Sequence, residues 1–116
     1  MFGFSKGAST ESIAKLVRSG KWDKIRKNYL NSDTETKVNL AKACGETTGD
    51  DSCNLLMELL NSEEEEVKIA ALKSLTATGN DHCVSRIQAM MLVLPEDKTL
   101  LRSEMQNTLN NLRGKQ

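Results

Sequence analysis

The residues best suited to chemistry in this chain are three cysteines, one histidine and a run of four glutamates. Cys44, Cys53, Cys83 and His82 are the soft donors that a zinc or copper site would draw on. Their spacing does not serve such a site, because no C-x2-C or H-x3-H pair joins them. Cys53 and Cys83 lie 30 residues apart, which reads as one small buried residue recurring in a repeat. Glu63 to Glu66 offers paired carboxylates, but consecutive helical positions point to different sides. The run reads instead as an acidic first turn, where negative charge meets the positive end of a helix dipole. A single histidine with no serine or cysteine nucleophile motif gives no triad, and no glycine-rich phosphate loop is present. The sequence reads as that of a non-enzyme with no catalytic residue, metal or cofactor.

The elements that would carry any site are amphipathic helices. Leu55, Leu56, Leu59 and Leu60 form one apolar stripe, followed by a polar corner at Asn61-Ser62. Ser62 and Glu65 have capping-box spacing. Val67, Ala70, Ala71, Ser74, Leu75 and Thr78 then make the inward face of a second helix, ended by Gly79 in a left-handed conformation. Flanking segments repeat this hairpin. Thr10 to Arg18 predicts a helix with Ile13, Leu16 and Val17 inward, capped by Ser9 or Thr10 and stopped by Gly20. Lys21 to Leu30 carries Trp22, Ile25, Tyr29 and Leu30 on one face and Lys21, Lys24, Arg26 and Lys27 on the other. Asp33 to Glu46 turns Val38, Leu40, Ala41 and Cys44 inward behind a second capping box, Ser32 with Glu35. His82 to Leu94 presents Val84, Ile87, Met91 and Leu94, with His82 at the surface. Pro95 begins a corner, and Glu96 to Leu112 presents Leu101, Met105, Thr108, Leu109 and Leu112 inward, with Gln106, Asn107, Asn110 and Asn111 opposite. Leu30-Asn31-Ser32 matches Leu60-Asn61-Ser62, and Gly49-Asp50-Asp51 matches Gly79-Asn80-Asp81; Val38 set against Val67 gives an offset of 29 between them. Helix pairs recurring about every 30 residues predict an all-α, right-handed α-solenoid of about three antiparallel pairs and seven helices.

A chain of 116 residues predicts one domain over 1–116: a tail and capping helix over 1–20, then repeats over 21–50, 51–80 and 81–114. The tail carries Phe2 and Phe4, which either pack over the first helix or stay mobile. Aromatic residues are scarce, proline occurs once, and no apolar run approaches the ~20 residues of a membrane span. The start lacks a secretory h-region, and three scattered cysteines form no disulfide framework, so a cytoplasmic location is expected. Net charge is zero but unevenly placed. Residues 1–45 hold nine Lys/Arg against four Asp/Glu and the rest hold seven against twelve, leaving halves of +5 and −5. This suits weak head-to-tail self-association or an acidic partner at the N-terminal end, unless both halves are simply solvated.

The stretch Leu56 to Met91 resembles a HEAT repeat of the short, HEAT-like or phycobilisome-lyase-like type. The pattern is Leu59-Leu60, the acidic corner, Val67-Lys68, Ala70-Ala71, Ser74-Leu75, Gly79-Asn80, then Val84, Ile87 and Met90-Met91. Lys68 stands for the usual arginine and Asn80 for the usual aspartate. Looser copies extend the resemblance over about residues 22–113. It implies that partners bind along the second helix of each pair, at Asn39 and Lys42, then Ile69, Leu72 and Lys73, then Ser103, Gln106 and Asn107. Ile69 and Leu72 lie off the buried stripe of their own helix, so they either form an exposed apolar spot or pack on the adjacent repeat.

These features predict a protein-interaction or adaptor module binding an as yet unidentified protein. The alternatives are nucleic-acid binding through Lys15, Arg18, Lys21, Lys24, Arg26 and Lys27, or an accessory to a HEAT-like lyase. Nucleic acid is disfavoured, because basic residues cluster on one helix and the remainder is acidic.

Overall fold

The computed structural model describes residues 10–47, 49–79 and 82–113, and among them every regular element is helical. The elements are α1 (Thr10–Arg18), α2 (Trp22–Asn28), α3 (Thr34–Cys44), α4 (Asp50–Leu59), α5 (Glu65–Thr78), α6 (His82–Leu92) and α7 (Thr99–Arg113). Phe2, Phe4, Ser9, Asn80, Asp81 and the side chain of His82 lie outside the described residues, and so do the expectations placed on them.

Local chemistry sets most helix ends. Gly20 at φ +70° lets Lys21 N–H reach the Leu16 carbonyl and Gly20 N–H reach that of Val17, the paired bonds of a Schellman stop. Asp33 caps α3 by accepting from Thr36 N–H at 3.0 Å, so the cap is Asp33 and not Ser32, whose hydroxyl turns back to the Tyr29 carbonyl. The capping box expected of Ser62 with Glu65 fails for a related reason. Helix α5 begins at Glu65 with Glu64 at the cap position, and the Ser62 hydroxyl is engaged by the Glu64 carboxylate. Gly79 is extended at φ −73°, ψ 176°, not left-handed. Glycine is needed there for space, because a Cβ would lie 2.6 Å from the Leu75 carbonyl oxygen and 3.2 Å from Leu112. At the last corner Lys98 N–H closes a turn on the Pro95 carbonyl, so α7 starts at Thr99, later than Pro95 alone suggests.

The odd-numbered helices pack in succession, α1 on α3, α3 on α5 and α5 on α7. Helix α2 lies against α1, α4 against α3 and α5, and α6 against α7. The molecule measures 41 × 32 × 18 Å, a thickness that holds two layers of helices spaced ~8–10 Å apart. Ile13, Ile25, Leu40, Leu55, Leu56, Leu59, Leu60, Leu75, Ile87 and Leu101 are all but fully buried, each adding roughly 1.5–3 kcal/mol by removal from water. The inward stripe expected of α7, Leu101, Met105, Thr108, Leu109 and Leu112, is buried throughout.

The packing also sets the register between helices. Ser74 on α5 donates to the Ala41 carbonyl on α3 at 2.7 Å, and Thr108 on α7 shares its hydroxyl proton between the Leu72 carbonyl on α5 at 3.2 Å and the Glu104 carbonyl of its own helix at 2.9 Å. These bonds make Ser74 and Thr108 equivalent, and likewise Ala41 and Leu72. The α3–α5 offset is therefore 31 residues and not 29: Thr36, not Val38, occupies the place of Val67. Burial agrees along the helices, with Thr36, Leu40, Ala41, Ala43 and Cys44 buried like Val67, Ala71, Leu72, Ser74 and Leu75.

Candidate functional site

With that register, each odd helix shows solvent the same outward positions. Lys42 and Lys73 are equivalent, both exposed, and both line a groove of about 220 Å³ between α3 and α5. Gly45, Ala70, Ser74 and Ala77 line the rest of it with Glu46. The floor is narrow by necessity: a Cβ on Gly45 would sit 2.5 Å from the Ser74 hydroxyl. Asn107 takes the same place on α7 and is exposed, and Asn39, one turn before Lys42, is half-buried.

The other residues expected to meet a partner separate. Leu72 has no exposed surface and its carbonyl is bonded by Thr108, so it is a contact between α5 and α7 and no docking residue. Ile69 is half-buried against the core. Gln106 occupies the place of Leu72 on the last described helix and is exposed; it donates to Asn110 at 3.0 Å. A wider concavity of about 650 Å³ on that side is lined by Met91, Arg102, Ser103, Gln106, Asn107 and Asn110. Sequence reasoning missed Leu92 and Val93, which are 87% and 82% exposed at the end of α6. Periodicity gave no sign of this, since both sit in a run of apolar residues.

The basic face of α2 is smaller than its sequence suggests. Lys21, Lys24 and Lys27 are exposed, but Arg26 reaches across to Glu58 of α4 at 2.6 Å. Trp22 and Tyr29 are half-buried against the core.

The acidic run is divided. Glu64 leaves the helix start and takes hydrogen bonds from Ser62, Lys37 Nζ (3.0 Å) and Thr34 (3.0 Å). These bonds, that from Ser62 first and that from Lys37 next, hold its carboxyl down to about 2. The carboxylate thus ties the α4–α5 corner to the start of α3. The thiols are buried at Cys44, Cys53 and Cys83, none of them in a disulfide. Burial, with Cys53 nearby, pushes the Cys44 thiol up to about 12 against a smaller opposing pull from Arg26. Among the described residues no group of three or more His, Cys, Asp or Glu side chains could hold a metal ion, and no helix is long and apolar enough to cross a membrane. The chain matches no known family model, no curated protein and no solved structure.

Proposed function

We propose that this chain is a non-catalytic protein-interaction module. It is a short right-handed α-solenoid of HEAT-like helix pairs, α4–α5 and α6–α7, preceded by α2 and α3, which follow one another in the chain with α2 lying against the capping helix α1. The partner lies along the outward face of the odd helices. The observation that carries the reading is the groove between α3 and α5, rimmed by Lys42 and Lys73 at equivalent positions. Its support is that one helix-to-helix bond, Ser74 to Ala41, recurs as Thr108 to Leu72, as stacked repeats require. Three buried cysteines, none of them in a disulfide, suit a reducing compartment, in keeping with a cytoplasmic module.

The test is site-specific photo-cross-linking in native lysate. A photoreactive residue at Ala77, in the groove, captures a discrete partner, whereas one at the exposed Asn54 of α4 does not. Equal capture at both positions defeats the choice of face, and capture at neither defeats the module.

A further inference from the structure

The repeat register extends to the first helix. Ile13 and Val17 of α1 are buried at the same spacing as Leu40 and Cys44 of α3, and matching these pairs also brings the helix ends, Arg18 and Cys44, to within one residue of each other; this alignment sets Lys15 opposite Lys42 and Leu16 opposite Ala43. The exposures fit this alignment. Ser74 and Thr108 bond to the preceding odd helix and are buried, and the corresponding Ala43 is buried too, whereas Leu16, with no described helix before it, is half-buried. Lys15, Lys42 and Lys73 therefore stand in one row, a single lysine on each of three successive packed helices. All three are exposed, and none has an ion-pair partner among the described residues. Within three or four positions of them lie Glu11, Ser12, Arg18 and Ser19 beside Lys15, Asn39 and Glu46 beside Lys42, and Ala70 and Ala77 beside Lys73. On α7 the row ends: its place there is Asn107, with Glu104 beside it.

We propose that this row binds an acidic peptide segment in a polyproline-II-like conformation, with a carboxylate at every third residue. The proposal deepens the interaction-module reading and rests on it. The argument is one of spacing and charge. Packed helices lie ~8–10 Å apart, so the lysine rungs repeat at about that distance. A polyproline-II segment has three residues per turn and rises ~3.1 Å per residue, which returns every third side chain to one face after ~9.3 Å. Carboxylates at i, i+3 and i+6 then meet Lys15, Lys42 and Lys73 in turn, with the backbone crossing the groove between α3 and α5. A β-strand cannot match this, because side chains three apart point to opposite faces. A single-stranded nucleic acid would draw on base stacking, and the residues flanking the lysines include no aromatic ring.

The experiment is fluorescence anisotropy at low salt with the full chain and two labelled peptides of equal charge. One is Glu-Pro-Pro repeated three times; the other carries its three glutamates consecutively before six prolines. The spaced peptide binds several-fold tighter. Lys15→Gln, Lys42→Gln and Lys73→Gln each weaken it ~1.5- to 5-fold, as exposed ion pairs do, while Lys24→Gln on α2 leaves it unchanged. Asn107→Lys adds a rung and strengthens binding of a four-repeat peptide by a similar factor. The substitutions are at exposed positions, so unchanged urea midpoints confirm that folding is intact. Equal binding of the two peptides, or equal losses from Lys24→Gln and Lys73→Gln, overturns the proposal. Tighter binding of an oligothymidylate than of the spaced peptide overturns it in favour of nucleic acid. If neither peptide binds but the probe at Ala77 still captures a partner, the acidic-segment proposal falls and the interaction module stands. If that probe captures nothing, both fall.

Discussion

Ser74 donates its hydroxyl to the backbone carbonyl of Ala41 at 2.7 Å, and Gly45, one turn after Ala41, leaves the room for it to do so. The same carbonyl also accepts from Gly45 N–H at 3.1 Å, so the hydroxyl supplements a helical bond and does not replace one. Ser74→Ala should therefore cost only about 0.5–1.5 kcal/mol. Gly45→Ala should cost more, about 1–3 kcal/mol, because its Cβ would meet Ser74 Oγ at 2.5 Å and Ser74 Cβ at 2.9 Å. Urea denaturation of Gly45→Ala, Ser74→Gly and the double variant tests this. The double variant should be more stable than the sum of the single effects predicts, and additivity would refute the close approach.

Leu72 on α5 and Gln106 on α7 lie at corresponding places by the helix-to-helix bonds but have opposite surroundings. Leu72→Ala should cost about 2–5 kcal/mol, since the side chain is fully enclosed between helices. Gln106→Ala should stay within about 0.5 kcal/mol, since that side chain is exposed. Comparable losses in thermal unfolding would show that α7 does not cover Leu72.

Glu64 makes stability depend on pH in the acid range. Its carboxyl lies near 2 in the folded chain against an ordinary value of 4.5, so its contribution is fully present above pH 4.5. The contribution fades as pH falls from about 4.5 to about 2, where the folded carboxyl takes its proton. Glu64→Gln should lower the urea midpoint at pH 7 and leave a smaller difference between variant and native chain at pH 2.5. A constant difference across that interval would mean that the hydrogen bonds from Ser62, Lys37 and Thr34 do not favour the charged form.

Cys44 should behave as an inert thiol. With its folded pKa near 12 against 9.0, it stays protonated at pH 8, and buried besides. In a variant with Cys53 and Cys83 changed to alanine, Cys44 should react with a disulfide-exchange reagent only at the rate of unfolding or local opening. Because ionisation of this thiol favours the unfolded chain, its contribution to stability should decline as pH rises above 9.0. Rapid modification under native conditions would contradict its burial.

Much of the helical layout is legible in the residues. The Leu55-Leu56-Leu59-Leu60 stripe and the Leu101 to Leu112 stripe are buried as their spacing demands, because a helix with one apolar face has only one way to shield it. Gly20 ends α1 as expected, since only glycine enters the left-handed region readily. The two capping boxes misled for a shared reason. Ser32 and Ser62 each have an acidic competitor close by, Asp33 and Glu64, which takes over the cap position or the hydroxyl itself. The basic patch on α2 was only partly legible, because Glu58, the partner of Arg26, lies 32 residues away in sequence on another helix.

Except on α3, where Thr36 and not Val38 takes the inward place, the sequence alone determined which face of each helix turns inward, because apolar spacing reports on a helix relative to its own axis. It did not determine what covers the remaining faces. Leu72 and Gln106, or Lys42 and Arg26, cannot be told apart by periodicity. Only the tertiary structure, by setting α7 over Leu72 and leaving Gln106 uncovered, by pairing Arg26 with Glu58 and leaving Lys42 open, decided which of them is structure and which is available surface. The physical reason is that exposure belongs to a residue together with its neighbours, and those neighbours come from distant parts of the chain.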